Sequence, residues 1–170
     1  MAVEALLVLL KGLISQYGYI ALFFSSIVSA ATVIIPVPLY VLIFFASNVG
    51  LNPLIVGIVS GIGSGLGEIT GYWVGMGGRK VLGKKIKKIP KQIHNINKLI
   101  KKYGFFGIFA FGLLPLPFDV IGIISGANHF GLKKFLLAAI LSKIIKTLLI
   151  AYAGSFTLPF IEYYLNPFVQ

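Results

Sequence analysis

Four ionisable side chains sit inside otherwise apolar segments of this chain: Glu68, Asp119, Lys143 and Lys146. A charge at the centre of a membrane helix costs on the order of 2.5 to 3.5 kcal/mol on insertion scales, so four of them need a reason. Lys143 and Lys146 are three residues apart and share a helix face. One reading is a polar site for an anionic group, with the lysines holding a phosphate and the acids taking up a proton. A second is two acid–base pairs that neutralise each other and fix helix packing. In a third, the lysines reach back to the membrane interface along their aliphatic stems. Ser64, Ser125, Asn128, Ser142 and Thr147 are hydroxyl or amide donors in the same segments, although Ser and Thr in membrane helices more often bond their own backbone. His129 reads as an interfacial residue, with a proton relay as its alternative role. The chain has no HExxH, no Gly-x-Ser-x-Gly, no clustered His and no cysteine. Hydrolase and metal chemistry therefore have no motif, and neither a catalytic residue, a metal nor a cofactor is expected.

The elements that must position these charges follow from composition. Of 170 residues, 58% are apolar and 11% charged, which marks an integral membrane protein. The apolar runs are long and unbroken, without the period-two alternation of barrel strands, so the expected class is all-α. The net charge is +11, and ten of the fifteen basic residues fall between Arg79 and Lys102. A lysine-rich block between membrane-length segments reads as a cytoplasmic connector, and as a patch for anionic headgroups. It has no aromatic stacking platform among its lysines, so nucleic acid is not expected as a partner. Met1 to Ile14 lacks a basic start and a small-residue cleavage site, so no cleavable signal peptide is expected.

Along the chain, AVEALLVLLKGLI predicts a short leading or interfacial helix. The apolar stretch Tyr17 to Val49 is interrupted by Pro36 and Pro38, and Leu54 to Gly77 is an uninterrupted span of 24 residues. In the basic block, Ile86, Ile89, Ile93, Ile96 and Ile100 recur at helical spacing, which predicts an amphipathic surface helix broken near Pro90. Gly104 to Asn128 is interrupted by Pro115 and Pro117, and Phe135 to Leu158 forms a second span. Tyr72 and Trp73 read as interfacial anchors.

The halves look like copies: YGYIALF matches YGFFGIF, IIPVPLYVLIF matches LLPLPFDVIGI, and VGLNPL matches FGLKKF. Each arm flanking Pro115 and Pro117 is too short to cross a core of roughly 30 Å, and a proline pair ends one half-helix and starts another. The expectation is an inverted repeat of two re-entrant hairpins, with tips at Pro36, Pro38, Pro115 and Pro117, each followed by a transmembrane helix. Tyr17 to Ile35 is itself long enough to span, which leaves the side of the N-terminus open. Repeat one covers about 17–78, the connector 79–102 and repeat two about 103–158, all within a single membrane domain of 1–170. In the first span Gly57, Gly61 and Gly65 recur every four residues, as do Gly63, Gly67, Gly71 and Gly75, which suits close helix packing.

The order Pro-x-Pro, Gly-Glu-x3-Tyr, second proline loop and Ser-Gly-Ala resembles the DedA / VTT (SNARE-associated Golgi protein) superfamily, in particular its small YqaA-like members. The carriers are IIPVPLYVLIFFASNVGLNPLIVGIVSGIGSGLGEITGYWVG and FGIFAFGLLPLPFDVIGIISGANHFGLKKFL, and the resemblance runs from about Tyr17 to Gly154. It implies paired re-entrant hairpins and lipid translocation: recycling of polyprenyl phosphate carriers in bacterial relatives, phospholipid scrambling in eukaryotic ones. By motif position Glu68 takes the place of the family acid in the first span. Leu39 and Tyr40 stand where the DedA branch has an acid, and Gly112 and Phe118 where it has arginines; Asp119 is typical of the wider VTT branch. Lys143 and Lys146 would then substitute for the arginines. The expectation is a multi-pass cell-membrane protein, not an enzyme, that moves an anionic lipid headgroup, with membrane lipids and protons as partners and a homo-oligomer compatible with the sequence. Its alternatives are a proton-coupled exporter of small solutes or ions and a non-transporting membrane scaffold.

Overall fold

The computed structural model describes residues 2–32, 39–48, 50–82, 91–114 and 117–165. Among them are eight helices and no strand: α1 (Ala2–Ala31), α2 (Leu39–Asn48), α3 (Pro53–Gly67), α4 (Ile69–Leu82), α5 (Lys91–Tyr103), α6 (Phe105–Leu113), α7 (Asp119–Ala127) and α8 (Leu132–Leu165). Two stretches, Pro53–Gly78 and Leu132–Thr157, are long and apolar enough to cross a membrane. Pro36, Pro38, Pro115, Pro90, Ile86 and Ile89 lie outside the described residues.

Local chemistry sets several boundaries. Asn52 caps α3, its side chain accepting from the Leu54 amide at 2.9 Å, and Pro53 occupies the first helical position, where a missing N–H is harmless. Gly104 adopts φ 53° between α5 and α6, a conformation that costs glycine little. Pro117 stands two residues before the start of α7, outside any helix.

Several boundaries differ from the sequence expectation. The leading segment is not a separate helix: α1 continues through it to Ala31, because Gln16-Tyr17-Gly18 contains no residue that forces a stop. The first span is not uninterrupted, since Glu68 stands in a turn between α3 and α4. The Glu68 amide reaches Ser64 O and the Tyr72 amide reaches Glu68 O, both at 3.3 Å, so the ladder is stretched there but preserved. α8 runs on to Leu165, past the expected end at Leu158. Tyr72 is core rather than an anchor: it is 4% exposed, and its hydroxyl donates to the Phe130 carbonyl at 2.5 Å. Trp73 faces outward, 53% exposed.

Glycines determine how the helices meet. Gly57, Gly61 and Gly65 lie directly on Leu148, Ile144 and Ile140, so α3 and α8 run antiparallel in close contact. Gly63 lies on Phe23 and Ser26, and Gly67 on Ile27 and Ala30, so α1 and α3 run in the same direction. Gly71 and Gly75 face Asp119 and Ile123, which sets α7 parallel to α4. A side chain at Gly61, Gly65 or Gly67 would collide with backbone, whereas at Gly71 the nearest atom is an ordinary 3.5 Å away.

The short helices α2 and α7 fold back on the helices that precede them. Leu39 and Tyr40 share a cavity with Ser29 and Ala30, and the Asn52 amide donates to the Tyr19 hydroxyl at 2.9 Å, so α2 returns along α1. Gly112 lies beside the Phe118 ring and Gly104 beside the Phe130 ring, so α7 returns along α6. In each pair the first arm packs on the span that follows it in sequence, α1 on α3 and α6 on α8. The second arm packs on the span of the other half, α2 on α8 and α7 on α4. Two apolar clusters result. One holds Ile108, Ile121 and Phe135, and the other Leu22, Ile43, Val56 and Ala151. α5 lays Ile100, 2% exposed, onto the first cluster and keeps Lys98, Lys101 and Lys102 in solvent, as an amphipathic helix should.

Candidate functional site

The described ends of both hairpins meet the two spans at one cavity of about 190 Å³. α3 and the α3–α4 junction supply Ser64 and Glu68, α8 supplies Lys143, and α7 supplies Asp119 in its first turn. Leu39 and Tyr40, in the first turn of α2, and Pro117 and Phe118, just before α7, close it from the hairpin sides. Tyr40 and Asp119 follow the two proline pairs at the same offset, and both line this one space.

Glu68 is 3% exposed and Lys143 8%. Lys143 Nζ lies 2.6 Å from Glu68 Oε1 and 5.0 Å from the centre of the Phe118 ring, a cation held by a carboxylate and an aromatic face. Glu68 Oε2 and Ser64 Oγ are buried without a hydrogen-bond partner among the described residues. Asp119 is half-buried, and its charge, like that of Lys146, acts on Glu68. The cavity lining thus holds two acids and one lysine, a formal excess of one negative charge, with Lys146 outside it.

Lys146 is placed differently. It does not line the cavity: its ammonium donates to the Leu114 carbonyl at 2.9 Å, at the end of α6, and lies 5.3 Å from the Tyr40 ring centre. One cation on α8 therefore touches both hairpins. Thr147, one turn beyond Lys143, is fully buried and donates to Gly57 O at 2.6 Å, tying the two spans together. The remaining polar residues singled out by sequence lie elsewhere. Ser142 bonds Ala139 O, Asn128 bonds Ile124 O, Ser125 is buried on α7 outside the cavity, and His129 is exposed at φ 53° in the loop after α7. Among the described residues no three His, Cys, Asp or Glu side chains come together. The sequence reading singled out the charges but did not identify Tyr40 and Phe118 as aromatic walls; their position just after each Pro-x-Pro was the available signal.

These features define a membrane protein, helical throughout its described elements, with a charged cavity where two helical hairpins meet two spans. The chain matches the VTT domain family over residues 35–156, a stretch that includes all four charges, and it belongs to that family. Among its relatives, an uncharacterised protein of Methanocaldococcus jannaschii is 27% identical over 155 residues, covering 89% of each chain. An uncharacterised membrane protein of Bacillus subtilis, YbfM, is 28% identical, over 75% of this chain and 82% of that one. An alkaline phosphatase-like protein of Lactococcus lactis is 27% identical, over 83% of this chain and 71% of that one. No solved structure matches.

Proposed function

We propose that this protein moves an anionic lipid headgroup across the membrane, as a transporter or scramblase, with a polyprenyl phosphate as the fitting class of lipid. The observation that carries the reading is the buried Glu68–Lys143 pair opening onto a cavity where both hairpins meet. An ion pair kept only for packing gains little over apolar side chains of the same volume, so its placement in a cavity favours use. A phosphate entering this site, whose lining already carries two acids against one lysine, would add to an excess of negative charge. Protonation of Glu68 or Asp119 offsets that charge, and at Glu68 it also releases Lys143 to pair with the phosphate. Drug-sized ligands occupy roughly 300–1,000 Å³, so a cavity of about 190 Å³ suits a headgroup while the chain stays in lipid.

The helix arrangement supports a re-entrant, inverted repeat. α2, α6 and α7 have ten, nine and nine residues, about 14–15 Å of helix, half of a core of roughly 30 Å, whereas α1, with 30 residues, is long enough to cross, so it is the second copy that carries the re-entrant reading. With α3 and α8 antiparallel, the hairpin between α4 and α8 starts and ends on one side, the side of the basic connector, which the positive-inside rule makes cytoplasmic. The exchanged packing of the second arms is what two oppositely oriented copies would produce.

The test is transfer of fluorescent NBD-phosphatidylglycerol in phosphatidylcholine liposomes, followed by dithionite bleaching. Transfer lost in Glu68→Gln and Lys143→Ala but kept after Lys98, Lys101 and Lys102 are changed to Gln is the expected result. Proton-linked solute flux without lipid movement would make the protein a solute exporter instead. Neither flux, with lipid binding unaltered by the intramembrane changes, would leave a scaffold. In the proposed mechanism no bond of the lipid is broken. The name carried by the Lactococcus relative makes phosphate release from p-nitrophenyl phosphate a direct check, with none expected.

A further inference from the structure

Ser60, Ser64 and Glu68 stand at four-residue intervals on one face of the first span. Ser60 is fully buried and Ser64 is 2% exposed, yet among the described residues neither hydroxyl has a hydrogen-bond partner, and neither has Glu68 Oε2. Ser125, on α7 and outside the cavity, is the other buried hydroxyl without a partner among the described residues, but it stands alone. The buried hydroxyls of Ser26, Ser47 and Ser142 bond back to their own helix, which is the ordinary habit of Ser and Thr in membrane helices. For Ser60 one such acceptor, the Gly57 carbonyl, is already taken by Thr147 from α8. A buried hydroxyl left unpaired costs about 1–3 kcal/mol, so three orphaned polar groups in a row point to a shared task. Ser64 and Glu68 open into the cavity, and Ser60 lies one turn nearer the Pro53 end of the span.

We propose that Ser60 and Ser64 form a proton path to the Glu68 carboxyl from the end of the first span opposite the basic connector. The inference rests on Glu68 being the acid that takes up a proton during transport. Neighbouring positions on this face are roughly 5–6 Å apart at Cβ, a gap that one bridging water closes. Each hydroxyl donates one proton and accepts another, so a proton entering at the Pro53 end leaves the chain of hydroxyls unchanged and appears on Glu68 Oε2. The carboxylate becomes neutral, and the Lys143 ammonium is freed for an anion. The charged and titratable groups facing Glu68 are Lys143 and Lys146 from α8, Asp119 from α7 and Tyr40 from α2; Ser29 and Ala30, the α1 residues at the cavity, carry none.

The test is infrared spectroscopy of the full chain in phosphatidylcholine vesicles at acidic pH. The protonated Glu68 carboxyl band is assigned by its loss in Glu68→Gln, and its shift is timed after exchange into D₂O. Ser60→Ala with Ser64→Ala removes orphaned hydroxyls and leaves the fold intact. The double variant is expected to slow the shift by about a hundredfold, the low end of what a positioned proton-transfer group contributes. Ser64→Thr in an otherwise unchanged chain is expected to keep the rate, as is Ser26→Ala, whose hydroxyl is already spent on Leu22 O. An unchanged rate in the double variant, or no Glu68-dependent band at all, overturns the path. If NBD-phosphatidylglycerol fails to move while deuteration still depends on the serines, transport is wrong and the path stands. If lipid moves and deuteration ignores the serines, the path is wrong and transport stands.

Discussion

Lys143 and Glu68 are each other's closest charge in a site nearly closed to solvent, so removing one leaves the other buried and uncompensated. Lys143→Met alone is expected to destabilise by about 3–5 kcal/mol, and Lys143→Met with Glu68→Gln by much less. Thermal unfolding in detergent of both single variants and the double variant measures the coupling; a loss in the double variant equal to the sum of the two single losses would show that the pair does not act as a unit. Lys146→Met should be milder, because the Leu114 carbonyl it releases is not sealed from solvent. At this scale the sequence was informative about identity and silent about partners. Four charges in apolar strings are visible by type alone, but that Lys143 takes Glu68 while Lys146 takes a carbonyl depends on one turn of α8 relative to α6. No local pattern encodes that.

For the helices, the glycines of the first span differ in a way their even spacing hides. Gly61→Ala pushes a methyl into the Ile144 backbone and should cost about 1–3 kcal/mol, since neither backbone can yield cheaply. Gly71→Ala meets only ordinary contacts and should lie within about 0.5 kcal/mol of the parent. Melting temperatures of the two variants decide it, and equal losses would contradict the modest packing at Gly71. Proline and glycine punctuation located α2, α3 and α7 from sequence, because a missing N–H or Cβ acts on its own residue. The fusion of the leading segment into α1 was not legible, since nothing local distinguishes a helix that stops at Gln16 from one that continues. The stretched turn at Glu68 was hidden for the opposite reason: the flanking residues are all apolar or small.

Across the molecule, α1 lies along α3, α3 antiparallel to α8, and α7 parallel to α4. The apolar pattern predicted two spans and two broken segments, but the exchange of second arms between halves joins residues far apart in sequence and had no signature there. Absence of cysteine makes sidedness easy to measure by labelling single cysteines with an impermeant maleimide. Cysteines at Lys98, Tyr103 and Gly131 should label from one side and Asn52 from the other. Labelling of Tyr103 and Gly131 from opposite sides would rule out a hairpin that returns to its own face.

The exchanged arms also bear on how the chain is made. α8 leaves the ribosome after the other seven described helices, and it is the neighbour on which α2, α3 and α6 all rest. Until it arrives, the glycine face of α3 and the carboxylate of Glu68 sit in the bilayer without their partners. The nascent protein therefore passes through a stage in which its costliest surface is exposed to lipid. That makes the interval before α8 is inserted the point at which an insertase or a quality-control protease would meet it.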